Sequence, residues 1–357
     1  MVSPSLFLVI FSSLVLYGLC DTSFSNQQDV KTIKTEYGTY DCVDFYKQPA
    51  FNHPLLKNHS SKAISNLLEL QGRKVSGIGL PESCPVGTVP ILRTNQNSSV
   101  NVQQLSPPQT HCVALVHTNK LNRKFNGVGG AIGMYKPVVQ TSDQRSSARI
   151  KLSNGNDSLE AGWMVNPKIF NDYEAHLYQS FDAGGKGCIN LQCPGFVQVT
   201  TTVPLGTIPS EYTKIGGNDI RAWNLSIDKH QDDGNWWLSV TYDKEPIGYW
   251  PKQLFTSLAD VAGKVEWGGE VYDFGPSSKK HPPPPEMGNG FRATKDLSKS
   301  ASIFHASYVD ESFTNVINPE DTHEITDCDP TYTVLDGGWV SKNFGRVIYY
   351  GGYSILK

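Results

Sequence analysis

Two stretches place a glutamate near a bare glycine in a strand-like alternation. In Val265–Val271, Val265, Trp267, Gly269 and Val271 share one face, while Glu266, Gly268 and Glu270 share the other. In Leu159–Val165, Leu159, Ala161, Trp163 and Val165 alternate with Glu160, Gly162 and Met164. This period of two is that of a strand with one face on a core. Two such strands can line one groove. A pair of carboxylates there can cut a peptide without metal or covalent intermediate. The ionised member takes a proton from the attacking water, and the protonated member gives one to the leaving nitrogen. Like charges so close resist joint ionisation, so the pair works in acid. An arbitrary strand glutamate, by contrast, simply faces solvent. Glu266 and Glu270 lie about 13 Å apart along an extended strand, so one of them partners Glu160. Glu270, preceded by Gly268-Gly269, has room for a peptide backbone beside it. The expected catalytic pair is therefore Glu160 and Glu270, with Glu266 on the rim.

Other chemistries lack their residues. There is no Cys-x-x-Cys, His-Glu-x-x-His, phosphate-cradling loop or Gly-x-Ser-x-Gly elbow, and the nine histidines are scattered. No cofactor or metal is expected. A net charge of −3 points to neither nucleic acid nor an anionic membrane as partner.

The elements that must position the glutamates are β-strands. Only 18% of the 357 residues are charged, 32 are glycine and 22 proline, a composition of strands and turns. Short strands are predicted at Ala131–Val138, Ala148–Leu152, Leu159–Val165, Phe196–Thr202, Trp236–Tyr242 and Glu266–Val271. That spacing favours a mainly β, antiparallel sandwich. Helices are predicted at Ser61–Leu70 and Leu254–Ala262. Trp163 and Trp267 alternate away from the glutamates and read as core, although tryptophan faces near the motifs could also receive proline rings. Trp236-Trp237 puts one ring inside and one outside.

Residues 1–20 read as a signal peptide, with an apolar core at Leu6–Leu19 too short for an ordinary membrane span. The expected location is therefore extracellular, with no membrane association once the leader is removed. Sequons at Asn58, Asn97, Asn156 and Asn224, and six cysteines after Cys20, agree with secretion. Residues 94–110 form a polar, proline-containing linker where a protease would cut.

Tyr40–Leu56, with Pro49, Phe51 and Pro54, and Glu82–Ile91 resemble the activation segment of the neprosin family of secreted plant proteins. Glu160-Ala161-Gly162-Trp163, Cys188, Cys193-Pro194-Gly195-Phe196-Val197-Gln198, Gly248-Tyr249-Trp250-Pro251, Trp267-Gly268-Gly269-Glu270 and Tyr349-Tyr350-Gly351-Gly352 resemble its main domain, in the family's order. The resemblance implies a small pro-segment at 21–100 and a β-sandwich peptidase domain at 101–357 that uses two glutamates, Glu270 standing at the family's Gly-Gly-Glu position. It implies a zymogen, inhibited by its own pro-segment, acting on protein or peptide substrates as a monomer. The characterised member cuts after proline. The apoplast, cell wall or vacuole is the expected location. The non-catalytic alternative is a secreted sandwich that binds cell-wall polymer or peptide, and a two-carboxylate glycosidase ranks third.

Three departures stand out. Tyr178-Gln179-Ser180-Phe181 replaces the family's Tyr-Trp-Thr run, Pro282–Pro285 is an added polyproline loop, and Cys328 lacks the usual C-terminal partner. Cys42 and Cys84 lie in one segment and are natural partners, and Cys188 and Cys193 close a short loop. Cys112 and Cys328 are left over. They are expected to bond to each other, which demands Cα atoms within about 7 Å; an intermolecular bridge is the other reading.

Overall fold

Alternating buried and exposed positions, broken by glycine, asparagine and proline turns, recur through the chain, and strands are the result. The computed structural model describes residues 31–57, 59, 78–93, 108–118, 123–217, 219–240, 244–275 and 282–353, which belong to one unit separate from Met1–Val30. The predicted leader, the 61–70 helix, residues 94–107 of the linker, Asn58 and Asn97 lie outside the described residues. Among the described residues, no helix is long and apolar enough to cross a membrane.

The strands in chain order are β1 (Thr32–Thr35), β2 (Gly38–Asp44), β3 (Thr88–Leu92), β4 (Thr110–Thr118), β5 (Phe125–Gly133), β6 (Gln144–Asn154) and β7 (Asp157–Val165). They continue as β8 (Ala175–Asp182), β9 (Gly187–Ile189), β10 (Val197–Gln198), β11 (Ala222–Lys229), β12 (Trp236–Val240) and β13 (Glu245–Trp250). The last six are β14 (Lys264–Asp273), β15 (Ala301–Asp310), β16 (Asn315–Val316), β17 (Thr322–Thr326), β18 (Tyr332–Ser341) and β19 (Gly345–Gly352).

Strands β1–β2–β3 make a small sheet of the N-terminal segment. The main domain has a seven-stranded sheet, ordered β17-β4-β14-β6-β7-β8-β9, and a nine-stranded sheet, ordered β10-β13-β12-β11-β5-β15-β19-β18 with β16 beside β15. Every pairing between strands is antiparallel. The core lies between the two large sheets, where Trp163, Trp267, Ile150 and Leu152 from one meet Val128, Ile132, Leu225 and Ile227 from the other. Trp163 donates from Nε1 to the Gly133 carbonyl (2.9 Å) and Trp267 to the Gly129 carbonyl (2.9 Å). Trp250 donates to Gln179 Oε1 at 3.0 Å. All three tryptophans are fully buried, so none offers a ring to substrate.

Several predicted elements change. The Ala131–Val138 strand ends at Gly133 and begins earlier, at Phe125. The Phe196–Thr202 strand shrinks to Val197–Gln198, because the backbone after it turns to other partners. Val199 and Thr200 both donate to the Ile247 carbonyl, while Thr201 and Thr202 accept from Cys84 and Leu80 of the N-terminal segment. The helix predicted at Leu254–Ala262 is absent beyond one short turn, Lys252–Leu254. Asp157 Oδ2 collects the backbone N–H groups of Thr256, Ser257 and Leu258 at 2.6–3.1 Å, and Ala262 bridges to Phe125, so the segment wraps around a carboxylate. Trp236 and Trp237 do face opposite sides, yet both are buried: Trp237 is sandwiched by His230 and Tyr249.

Candidate active site

The outer face of the seven-stranded sheet carries the chemistry. Register places Gly268 opposite Arg149 and Arg149 opposite Gly162 across β14, β6 and β7. One step along the strands, Glu266, Lys151 and Glu160 form the next row. Glu270 stands on the other side, opposite Ser147. The two glycines are demanded by the sheet itself. A Cβ on Gly162 would sit 1.9 Å from the Ala148 carbonyl oxygen, and one on Gly268 2.3 Å from that of Ala114. Gly268 also takes φ +154°, a conformation that favours glycine. Gly269 points into the core beneath Tyr350 and Met287. The glycines serve close backbone packing.

Arg149 is the centre. Its Nε lies 3.0 Å from Glu270 Oε2 and 3.5 Å from Glu160 Oε2, and its Nη1 lies 2.9 Å from Glu266 Oε2. Glutamates about 13 Å apart along an extended strand thus reach one guanidinium, because long side chains lean inward from both ends of the Gly268 row. Glu266, expected on the rim, is buried and also pairs with Lys264 at 2.5 Å. Glu270 accepts at Oε1 from Tyr272 Oη (2.6 Å) and His111 Nε2 (2.6 Å). Glu160 accepts from Tyr178 Oη at 3.2 Å and pairs with Lys151 at 3.3 Å. Sequence reading did not single out Arg149, His111 or Tyr272, and met Tyr178 only in the run that departs from the family's pattern. Arginine alternating with buried Ser147 and half-buried Lys151 on a strand was the one available signal.

Electrostatics follow from this packing. Burial pushes the Glu266 carboxyl up, but Arg149 and Lys264 outweigh it and hold it at about 2. Glu270 is pushed up by burial and down more strongly by Arg149 and His111, ending well below the usual carboxylate range. Burial alone would lower the Arg149 pKa; Glu270, Glu266 and Glu160 raise it instead, so the guanidinium stays charged. Burial, reinforced by Glu160, raises Tyr178, and burial with Glu270 raises Tyr272, so both phenols remain donors.

The sign of the pH effect is definite. A depressed carboxyl adds stability above its unfolded pKa of about 4.5, and that contribution is lost as pH falls through the folded value. We expect midpoints of urea unfolding to hold from pH 7 to 5 and to drop from about 4.5 towards 2. A Glu266→Gln variant should flatten that drop; an unchanged slope would remove Glu266 from the account.

Three disulfides link Cys42 to Cys84, Cys112 to Cys328 and Cys188 to Cys193, with Cα separations of 5.5, 5.6 and 6.0 Å. The second ties β4 to the chain just after β17, one residue from His111. Asn156 is exposed in the β6–β7 turn, and Asn224 sits half-buried on β11.

The site is thus defined by a two-sheet antiparallel sandwich carrying three glutamates on one buried arginine. Residues 142–353 match the neprosin family model, and residues 32–123 match the neprosin activation peptide. The chain belongs to the neprosin family. Among solved structures, it is similar to scytalidoglutamic peptidase bound to a peptide-based transition-state analogue, at 11% identity and TM-score 0.38, covering 70% of this chain and all of that one. It is also similar to the eqolisin SCP-B bound to the tripeptide Ala-Ile-His, at 10% identity and TM-score 0.37 with the same coverage.

Proposed function

We propose that the chain is a secreted glutamic endopeptidase, made as a zymogen, that works in acid and cuts after proline. The observation that carries this reading is the meeting of Glu160 and Glu270 at one nitrogen, Arg149 Nε. Their surroundings divide the labour. Glu270 has the shorter contacts to Arg149, Tyr272 and His111 and stays ionised into acid, so it is the general base. Glu160 is held at longer range by Arg149 and Lys151 and is the more exposed of the two, so we assign it the role of general acid. Water gives its proton to Glu270 as its oxygen attacks the scissile carbonyl. Glu160 then protonates the departing nitrogen, and the proton on Glu270 passes back to Glu160 for the next turnover. A carboxylic acid is populated only at acid pH, so the rate rises as pH falls. Incubating the trimmed protein with a denatured substrate at pH 3 to 7 and mapping the cuts by mass spectrometry tests this. Cuts after proline, confined to acid, are expected. A trimmed protein that cuts nothing at any pH leaves the polymer- or peptide-binding reading in its place.

The described residues of the pro-segment make their contacts at another part of the main domain. Gln48 Nε2 donates to the Gln198 carbonyl (3.1 Å), Gln198 N donates to Gln48 Oε1 (2.8 Å), and Gln198 Nε2 donates to the Pro90 carbonyl (2.5 Å). Both glutamines are buried. Tyr40 Oη reaches the Gly206 carbonyl at 3.3 Å, and His59 lies 3.0 Å from Tyr249 Oη. Among the described residues, no hydrogen bond or ion pair joins Glu160, Glu266 or Glu270 to residues 31–93. These residues are the anchor. No disulfide joins them to the main domain, so one cut between 94 and 107 leaves the anchor held by non-covalent contacts alone.

Gln48→Ala strips a buried N–H of its acceptor, at a cost of about 1–3 kcal/mol. The cut pro-segment should then dissociate about five- to a hundredfold faster, read by gel filtration after limited proteolysis. Equal release from wild type and variant would show that the glutamine pair does not hold the segment.

A further inference from the structure

The second sheet has an outer face as well, and it is not flat. Along β11, Trp223, Leu225 and Ile227 point into the core, so Asn224, Ser226 and Asp228 point out. On β5 the neighbouring outward positions include Gly129, where an added Cβ would lie 3.1 Å from Ser307 Oγ. Bare backbone there forms the floor of a groove of about 320 Å³, bounded by Asn224 and Ser226 on one side and by His305, Ser307 and Trp339 on the other. That size falls within the range of small-molecule sites.

Three observations bear on what fills it. Asn224-Leu225-Ser226 is a glycosylation sequon whose asparagine lines the groove. On the adjacent strand β5 the amide of Asn126 is bonded: its Nδ2 donates to the Asp310 carbonyl at 3.0 Å. Among the described residues no hydrogen bond occupies the Asn224 amide. Trp339, at the rim, is 45% exposed. An indole face beside hydroxyl and amide groups suits a sugar, whose ring has an apolar C–H face and a polar edge.

We propose that Asn224 is N-glycosylated and that the first sugars of its glycan lie in this groove, with one ring against Trp339. The glycan then covers an apolar patch of the sheet and leaves the opposite, glutamate-bearing face free. Asn156, in an exposed turn, has no such groove and serves as the reference site. The proposal requires passage through the secretory route and is independent of the peptidase reading.

The test uses full-length protein secreted from eukaryotic cells. Peptide N-glycosidase in heavy-oxygen water should convert Asn224 to labelled Asp. Hydroxyl-radical labelling of Trp339 should be several-fold weaker in this protein than in Ser226→Ala, which keeps Asn224 but loses the sequon. Labelling of buried Trp163 should be the same in both. If Ser226→Ala is not secreted, trimming the folded wild type with an endoglycosidase provides the comparison. An unmodified Asn224 overturns the proposal, and protection of Trp339 by an added soluble oligosaccharide would then assign the groove to a free ligand. A modified Asn224 with Trp339 equally labelled in both proteins overturns the placement of the glycan.

Discussion

Glu270→Gln should lose acid proteolysis by about 10³-fold or more while keeping its fold, since it removes the base from the chemical step. Glu160→Gln should fall as far by removing the acid. Both amides are near-isosteric, and Arg149 keeps two carboxylates in each variant, so no buried charge is left alone. Glu266→Gln should lose little activity. Glu266 touches Arg149 through Nη1 and Lys264, on the far side of the guanidinium from the Nε shared by the other two. The measurement is kcat/KM on a proline-containing peptide at acid pH, with circular dichroism as the fold control. Near-full activity in Glu270→Gln together with loss in Glu266→Gln would make Glu266 the partner of Glu160. Full activity in the double variant Glu160→Gln/Glu270→Gln would remove the dyad mechanism altogether.

The second large effect belongs to Arg149→Met. Methionine retains the packing volume along β6 but leaves Glu160, Glu266 and Glu270 facing each other without the guanidinium. Removing one partner of a buried ionic cluster costs about 3–5 kcal/mol. The sign of its pH dependence is opposite to that of the wild type. Without the cation, burial and mutual repulsion raise the carboxyl pKa values above their unfolded values. Such groups favour the fold while protonated, and that support is lost as pH rises through their folded values. The deficit relative to wild type should therefore be largest at pH 7 and shrink towards pH 3.5, read from urea midpoints at both. Arg149→Lys keeps a charge but a single point of contact, and should lose less stability than the methionine variant. A deficit independent of pH would show that Arg149 matters through packing rather than charge.

How much of this was legible in the chain depends on the range of the interaction. The alternation in Val265–Val271 assigned faces correctly, because side-chain direction on a strand follows from covalent geometry: Trp267 went to the core and Glu266 and Glu270 to the other side. The strand at Leu159–Val165 was readable for the same reason. β8 was not, since its inward Gln179 looks polar in sequence yet is buried by accepting from Trp250 Nε1, and that partner comes from β13. The failed helix at 254–262 has the same origin. Its local pattern is helical, but Ala262 exchanges backbone hydrogen bonds with Phe125, more than a hundred residues earlier, which draws the end of the segment into an antiparallel bridge.

The site divides along the same line. Residue type and motif spacing singled out Glu160, Glu266 and Glu270 as the carboxylates to watch. The tertiary structure alone placed Arg149 between them, because strand order β14-β6-β7 is a matter of long-range pairing and no spacing along the chain encodes it. Strand rise argued that Glu266 and Glu270 serve separate points; side-chain length and the packing around Gly268 bring both to one guanidinium. The purpose of the glycines was likewise out of reach of the sequence. Their need arises where neighbouring carbonyl oxygens press against the Cα, and those neighbours are chosen by the fold.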